Sequence, residues 1–129
     1  MRGRCRRLPA SDVLRFWRAS INSANGLIFA FRSERAVREE IVALILSLPL
    51  SWLVGVTPAR RLELVLVVLL LLVVELLNTA IEKLSDRLTL DQDAQIGRVK
   101  DMGSAAVCIM LAIASLTWLF AIAERIGVI

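Results

Sequence analysis

Glu75, Asn78, Glu82 and Asp86 follow one another at intervals of three, four and four residues. At about 100° per residue they fall within roughly 80° of one another on one face of a single helix. Glu75 closes an uncharged apolar run, Leu64 to Val74, so its carboxylate stands at the edge of a hydrocarbon-compatible segment. A carboxylate at helix-centre depth costs about 2.5 kcal/mol or more on insertion scales, and such groups mark functional sites with a partner to be found. Further charges stand on either side: Glu34, Glu39 and Glu40 before one apolar segment, and Asp91, Asp93, Lys100 and Asp101 before another.

Convergence of these groups at one membrane face outlines a site for a hard cation and a phosphate. Carboxylate oxygens suit magnesium, which takes one or two of them and completes its shell with water and substrate phosphates. Lysine meets phosphate as a point charge. Phosphoryl transfer asks a protein for positioning, charge neutralisation and a carboxylate to accept the attacking hydroxyl's proton. Glu75 fits that last role. It lies seven residues from Glu82, about 10 Å of helix rise, so it faces a lipid hydroxyl below the headgroups while Glu82 faces a metal nucleotide above. The chain has no His and two Cys, Cys5 and Cys108, which excludes a structural zinc site and leaves oxygen as the metal donor. Neither a Walker-type phosphate loop nor a protein-kinase signature is present.

The elements that must position these groups belong to a membrane. Of 129 residues 57% are hydrophobic, and the charges are crowded into a few stretches. Three apolar segments, Ile41 to Val56, Leu62 to Leu77 and Ala105 to Ala123, run for 16, 16 and 19 residues. A span needs about 20 residues, and flanking Arg, Lys and Glu side chains extend the shorter ones. Thirteen basic residues precede the first segment or separate the second from the third, against three elsewhere. The amino terminus and the Lys83 to Asp101 segment are therefore expected in the cytoplasm and the carboxyl terminus in the periplasm. The first apolar run starts too far along for a secretory signal, so the amino terminus is expected to be retained.

The expected organisation is a single all-α membrane domain over residues 1–129. It comprises a basic extension 1–10, an amphipathic surface helix 11–38, spans at 39–57, 62–86 and 102–124, and a cytoplasmic loop 87–101. The surface helix sets Arg15, Arg18, Arg32 and Arg35 among Leu14, Phe16, Trp17 and Ile28, a pattern for the headgroup plane of anionic lipid. No nucleic-acid partner is expected. Gly26 is a point at which that helix could loosen or break, and Pro49 a point at which the first span could kink. Thr57 to Arg61 reads as a tight turn between antiparallel helices. Ser104, Cys108, Ala112 and Ser115 place small residues on one face of the third span, which favours close helix approach and oligomerisation.

The strings ELLNTAIEKLSD, Glu75 to Asp86, and GRVKDMGSAAV, Gly97 to Val107, resemble the small bacterial membrane diacylglycerol kinases over roughly Arg15 to Gly127. The resemblance implies a homotrimer of three-span subunits plus a surface helix in the inner membrane, with active sites shared between subunits. It implies transfer of the γ-phosphate of MgATP to diacylglycerol. Glu75 matches the family's catalytic base, Glu34 and Glu82 its metal-binding glutamates, and Lys100 and Asp101 its nucleotide-contacting pair. Arg15, Glu40, Asn78 and Ser104 match positions tied to substrate, nucleotide or the polar network. Asp91 and Asp93 fall where the loop borders the nucleotide. Asn22, on the nucleotide side, replaces a family tyrosine, and the Arg2 to Arg7 extension departs from the pattern. Two alternatives stand beside this reading: a related branch that phosphorylates undecaprenol, and an oligomeric proton or cation conductor with Glu75 as its pore carboxylate.

Overall fold

A computed structural model describes residues 10–88 and 93–129, and every regular element among them is helical. The order is α1 Ala10–Ser33, α2 Arg35–Val54, α3 Pro58–Leu88 and α4 Ala94–Arg125. The readings that rest on Cys5, the Arg2 to Arg7 extension and Asp91 fall outside the described residues.

Each break between helices has a local cause. Glu34 adopts an extended conformation, φ −117° and ψ 129°, and the Arg38 guanidinium donates to the carbonyls of Phe31 at 3.2 Å and Arg32 at 3.3 Å. Those are carbonyls of the last turn of α1, which lack helical partners. Residues 35–38 therefore open α2 rather than close the surface helix. Gly26 lies inside α1, which runs on through it. Pro49 lies inside α2, flanked by the buried Ser47 and Ser51, whose hydroxyls donate to Leu44 and Leu48 carbonyls at 2.7 and 2.8 Å. The helix thereby absorbs its own polar groups around the proline.

Gly55 ends α2 where a side chain has no room: an added Cβ would lie 2.6 Å from Arg61 Cγ and 2.8 Å from the Ser51 carbonyl. Arg61 closes this turn, its Nε donating to the Gly55 carbonyl at 3.0 Å and its guanidinium lying 4.4 Å from the Trp52 ring. Thr57 Oγ1 accepts from the Arg60 amide at 3.1 Å, a capping bond ahead of Pro58, whose missing N–H is harmless at a helix start. At the start of α4 the Asp93 carboxylate accepts from the Gln95 and Ile96 amides at 2.7 and 3.3 Å. Ala94 to Asp101, read as loop from the sequence, is consequently helical.

α3 is the centre of the bundle and packs against both α2 and α4, which hardly meet each other. Its buried stripe, Leu64, Val67, Val68, Leu71 and Leu72, meets Val37 and Ala30 on one side and Ala114 on the other. Small residues on α4, Ala114 and Ala121, let the helices approach closely. At one end Arg60 joins Glu63 at 2.6 Å and Glu124 at 2.9 Å and lies over Phe120, clamping α3 to the end of α4. Two helices, α3 and α4, are long and apolar enough to cross a membrane. α2 has 20 residues but begins with Arg35, Arg38, Glu39 and Glu40, which shortens its apolar stretch.

Candidate active site

The acidic stripe forms at the end of α3 away from the Arg60 clamp. Glu75 and Asn78 are buried and Glu82 is half-buried. Asn78 Nδ2 donates to Glu82 Oε1 at 3.2 Å. The opposite atom of that carboxamide, Oδ1, is buried without a protein partner. It faces Gly103 of α4, where an added Cβ would collide with it. A flipped amide would turn Oδ1 onto the Glu82 carboxylate, so the acidic neighbour fixes the orientation.

α2 brings Glu40 into the field of Glu75, and the α1–α2 corner brings Glu34 there as well. Glu40 is half-buried and its Oε2 has no partner. Glu34, although it stands at the start of α2, makes no capping bond to that helix. Its carboxylate reaches across to Lys83 Nζ of α3 at 2.6 Å. That ammonium holds the Glu34 carboxyl below the usual carboxylate range. Lys100 of α4 is tied to Asp86 of α3 at 2.9 Å. One chain therefore assembles Glu34, Glu40, Glu75, Asn78 and Glu82, with Lys100 at the margin.

Other candidates stand apart from this cluster. Arg15 is exposed on α1 and pairs with Asp12 at 3.8 Å, and Asn22 is exposed on the same helix. Asp101 and Ser104 are exposed on α4. Asp93 caps α4 through Oδ1. Asp93→Ala is expected to lower stability by about 1 kcal/mol, the usual loss at such a cap, whereas Asp93→Asn keeps it; thermal unfolding in detergent distinguishes the two. Lys83 and Gly103 were not singled out from the sequence as site residues. The signal for Lys83 was there, a lone cation beside an acidic stripe.

Among the described residues no three carboxylates or thiols converge as a ready-made metal cage. Two carboxylates nonetheless suffice for magnesium with a nucleotide, since water and phosphate oxygens complete its shell. Glu82 suits this, for its half-buried carboxylate has one oxygen engaged by Asn78 and the other available.

Comparison with known proteins identifies the family. The family model described as prokaryotic diacylglycerol kinase matches residues 21–122. The chain belongs to the prokaryotic diacylglycerol kinase family. It is 38% identical over 108 residues to the diacylglycerol kinase of Pseudomonas aeruginosa, covering 84% of this chain and 88% of that one. The diacylglycerol kinase of Escherichia coli K12 is 37% identical over 113 residues, 88% of this chain and 93% of the relative. That of Haemophilus influenzae Rd is 38% identical over 96 residues, 74% and 81% of the respective lengths. The matched range contains every residue of the carboxylate cluster and leaves Arg15 outside.

Proposed function

We propose that this protein transfers the γ-phosphoryl group of ATP to the free hydroxyl of diacylglycerol, giving phosphatidic acid and ADP at the cytoplasmic face of the inner membrane. The observation that carries this is the buried Glu75, seated beside Glu40 at the end of an apolar helix with Glu34 and Glu82 in the same cluster. The lipid hydroxyl oxygen attacks the γ-phosphorus, its proton passes to Glu75, and the bond to the β-phosphate oxygen breaks to release ADP. Glu40, with a buried oxygen unpartnered, belongs to the polar network around the reacting hydroxyl. Asn78 steadies Glu82, and Lys100 offers charge to the nucleotide phosphates. Glu34 and Glu82 would hold magnesium, which neutralises phosphate charge when bound. Glu34→Gln and Glu82→Gln are expected to leave a folded protein whose activity needs markedly more magnesium; activity at limiting magnesium equal to wild type would refute the assignment.

The same reading makes α2 a third span, since 20 residues extend about 30 Å, with α1 lying at the cytoplasmic surface. It also makes the assembly a homotrimer. Support comes from the split distribution of site residues: the carboxylates gather within one chain, whereas Arg15 and Asn22 pair with none of them. Because Glu34 and Glu75 lie in one chain's cluster, complementation is expected across a different boundary. Co-assembled Glu75→Gln and Arg15→Ala subunits should regain part of the activity that each lacks alone. Mixed assemblies that stay inactive, or full activity of a detergent-solubilised monomer, would contradict shared sites. The enzyme reading itself is tested by transfer of labelled phosphate from ATP to diacylglycerol by the purified protein.

A further inference from the structure

Lys83 is a cation seated against the carboxylate cluster that the proposed chemistry leaves without a task. Its ammonium lies 2.6 Å from Glu34 Oε1 and 5.3 Å from the centroid of the Phe29 ring. It stands at the rim of an apolar hollow of about 560 Å³ between α1 and α3, walled by Gly26, Leu27, Phe29, Ala30, Leu76 and Ala80. Apolar walls on one side reduce the screening that weakens an open surface pair. The contact also crosses elements: it ties the extended corner between α1 and α2 to the residue next to Glu82. Glu34 forgoes any bond to its own helix start to make it.

We propose that Lys83 is a positioning residue that holds the Glu34 carboxylate in the metal-free enzyme and competes with a divalent cation for it. The inference rests on the assignment of Glu34 as a metal-binding carboxylate. Lys83 holds one Glu34 oxygen, Oε1, and its charge repels a divalent cation drawn to the same carboxylate, so the ammonium retreats as the cation binds. The Phe29 ring gives the retreating ammonium a face to rest on, through its negative quadrupole. Lys83 thereby keeps Glu34 aimed at the cluster between turnovers and sets the cation concentration at which the site fills. A methyl-terminated replacement removes the competitor together with one repelling charge, and the site should then fill at lower cation concentration.

The test is direct binding of Mn²⁺ alone to detergent-solubilised protein, read from the loss of the free-ion electron paramagnetic resonance signal. Lys83→Met is expected to reach half-occupancy at roughly tenfold lower Mn²⁺, the effect of removing about one charge at short range in a partly screened site. Lys83→Arg should behave as wild type, and adding Glu34→Gln to Lys83→Met should abolish the gain. Binding by Lys83→Met that is unchanged or weaker, with Glu34→Gln still weakening binding, overturns the competition and leaves Glu34 as a ligand. Binding indifferent to Glu34→Gln in both backgrounds overturns the metal assignment and this inference together. Helical circular dichroism and the size of the detergent complex establish that each variant is folded.

Discussion

Glu75→Gln is expected to lower turnover by about 10²- to 10⁴-fold, the range that a general base contributes, with nucleotide binding close to that of wild type. The amide keeps the shape and the hydrogen-bonding capacity of the buried side chain but takes no proton from the lipid hydroxyl. Because that proton moves only as the reaction proceeds, the loss should fall on kcat and far less on KM for ATP. Lys100→Ala should give a different signature. Its charge meets the phosphates in the bound ground state as well, so affinity for ATP should drop along with the rate. Equilibrium nucleotide binding beside steady-state kinetics separates the two. A Glu75→Gln variant that keeps most of its turnover would make the carboxylate structural.

Gly103→Ala should be strongly damaging to both stability and activity. α4 lies against α3 so closely at this point that a Cβ meets the Asn78 carboxamide oxygen, and both residues are buried. Either the helices separate or Asn78 leaves its place. Overpacking of this kind typically lowers stability by about 1–3 kcal/mol. Displacement of Asn78 also releases Glu82, its hydrogen-bond acceptor, so magnesium dependence should worsen in parallel. Shortening the opposing side chain separates the two effects. Gly103→Ala combined with Asn78→Ala should recover thermal stability, because the clash is gone, but not activity, because nothing then steadies Glu82. Recovery of both would mean that Asn78 only fills space, and recovery of neither that the damage lies in the α4 backbone.

The acidic stripe was legible in the sequence because a helix repeats every 3.6 residues and because charge is rare beside Leu and Val. Three residues of that stripe, Glu75, Asn78 and Glu82, thus gave the heart of the cluster, while Asp86 is exposed and pairs with Lys100 at its margin. The corner at Glu34 was not legible, since Ser33, Glu34 and Arg35 contain no glycine or proline to mark a break. Two tertiary contacts accompany the break: Arg38 satisfies the end of α1, and Lys83 draws the Glu34 side chain across to α3. Lys83 itself was counted only as a topology-setting charge, a role that says nothing of its partner. Asp93 carries a capping signal, an aspartate just ahead of a helical stretch, and its Oδ1 makes the cap. The small-residue face read from the sequence, Ser104, Cys108, Ala112 and Ser115, is exposed in this chain, and the tight packing falls on the neighbouring Gly103 instead. Which residue it accommodates depends on the register of α3 against α4, which composition does not contain. Arg15 and Asn22 remain on an exposed helix, apart from the carboxylates of their own chain.

The central claim is that the Glu75 cluster phosphorylates a lipid alcohol, and the most direct measurement follows labelled γ-phosphate from ATP in the presence of magnesium and purified protein. Wild type and Glu75→Gln are compared with diacylglycerol, with undecaprenol and with no lipid, alongside proton flux in protein-containing liposomes. The account predicts label in phosphatidic acid for wild type, little or none in undecaprenyl phosphate, loss of transfer in Glu75→Gln, and no flux dependent on Glu75. Preferential labelling of undecaprenol would move the protein to the other substrate. Absence of transfer to either lipid, with proton flux that disappears in Glu75→Gln, would contradict the account outright.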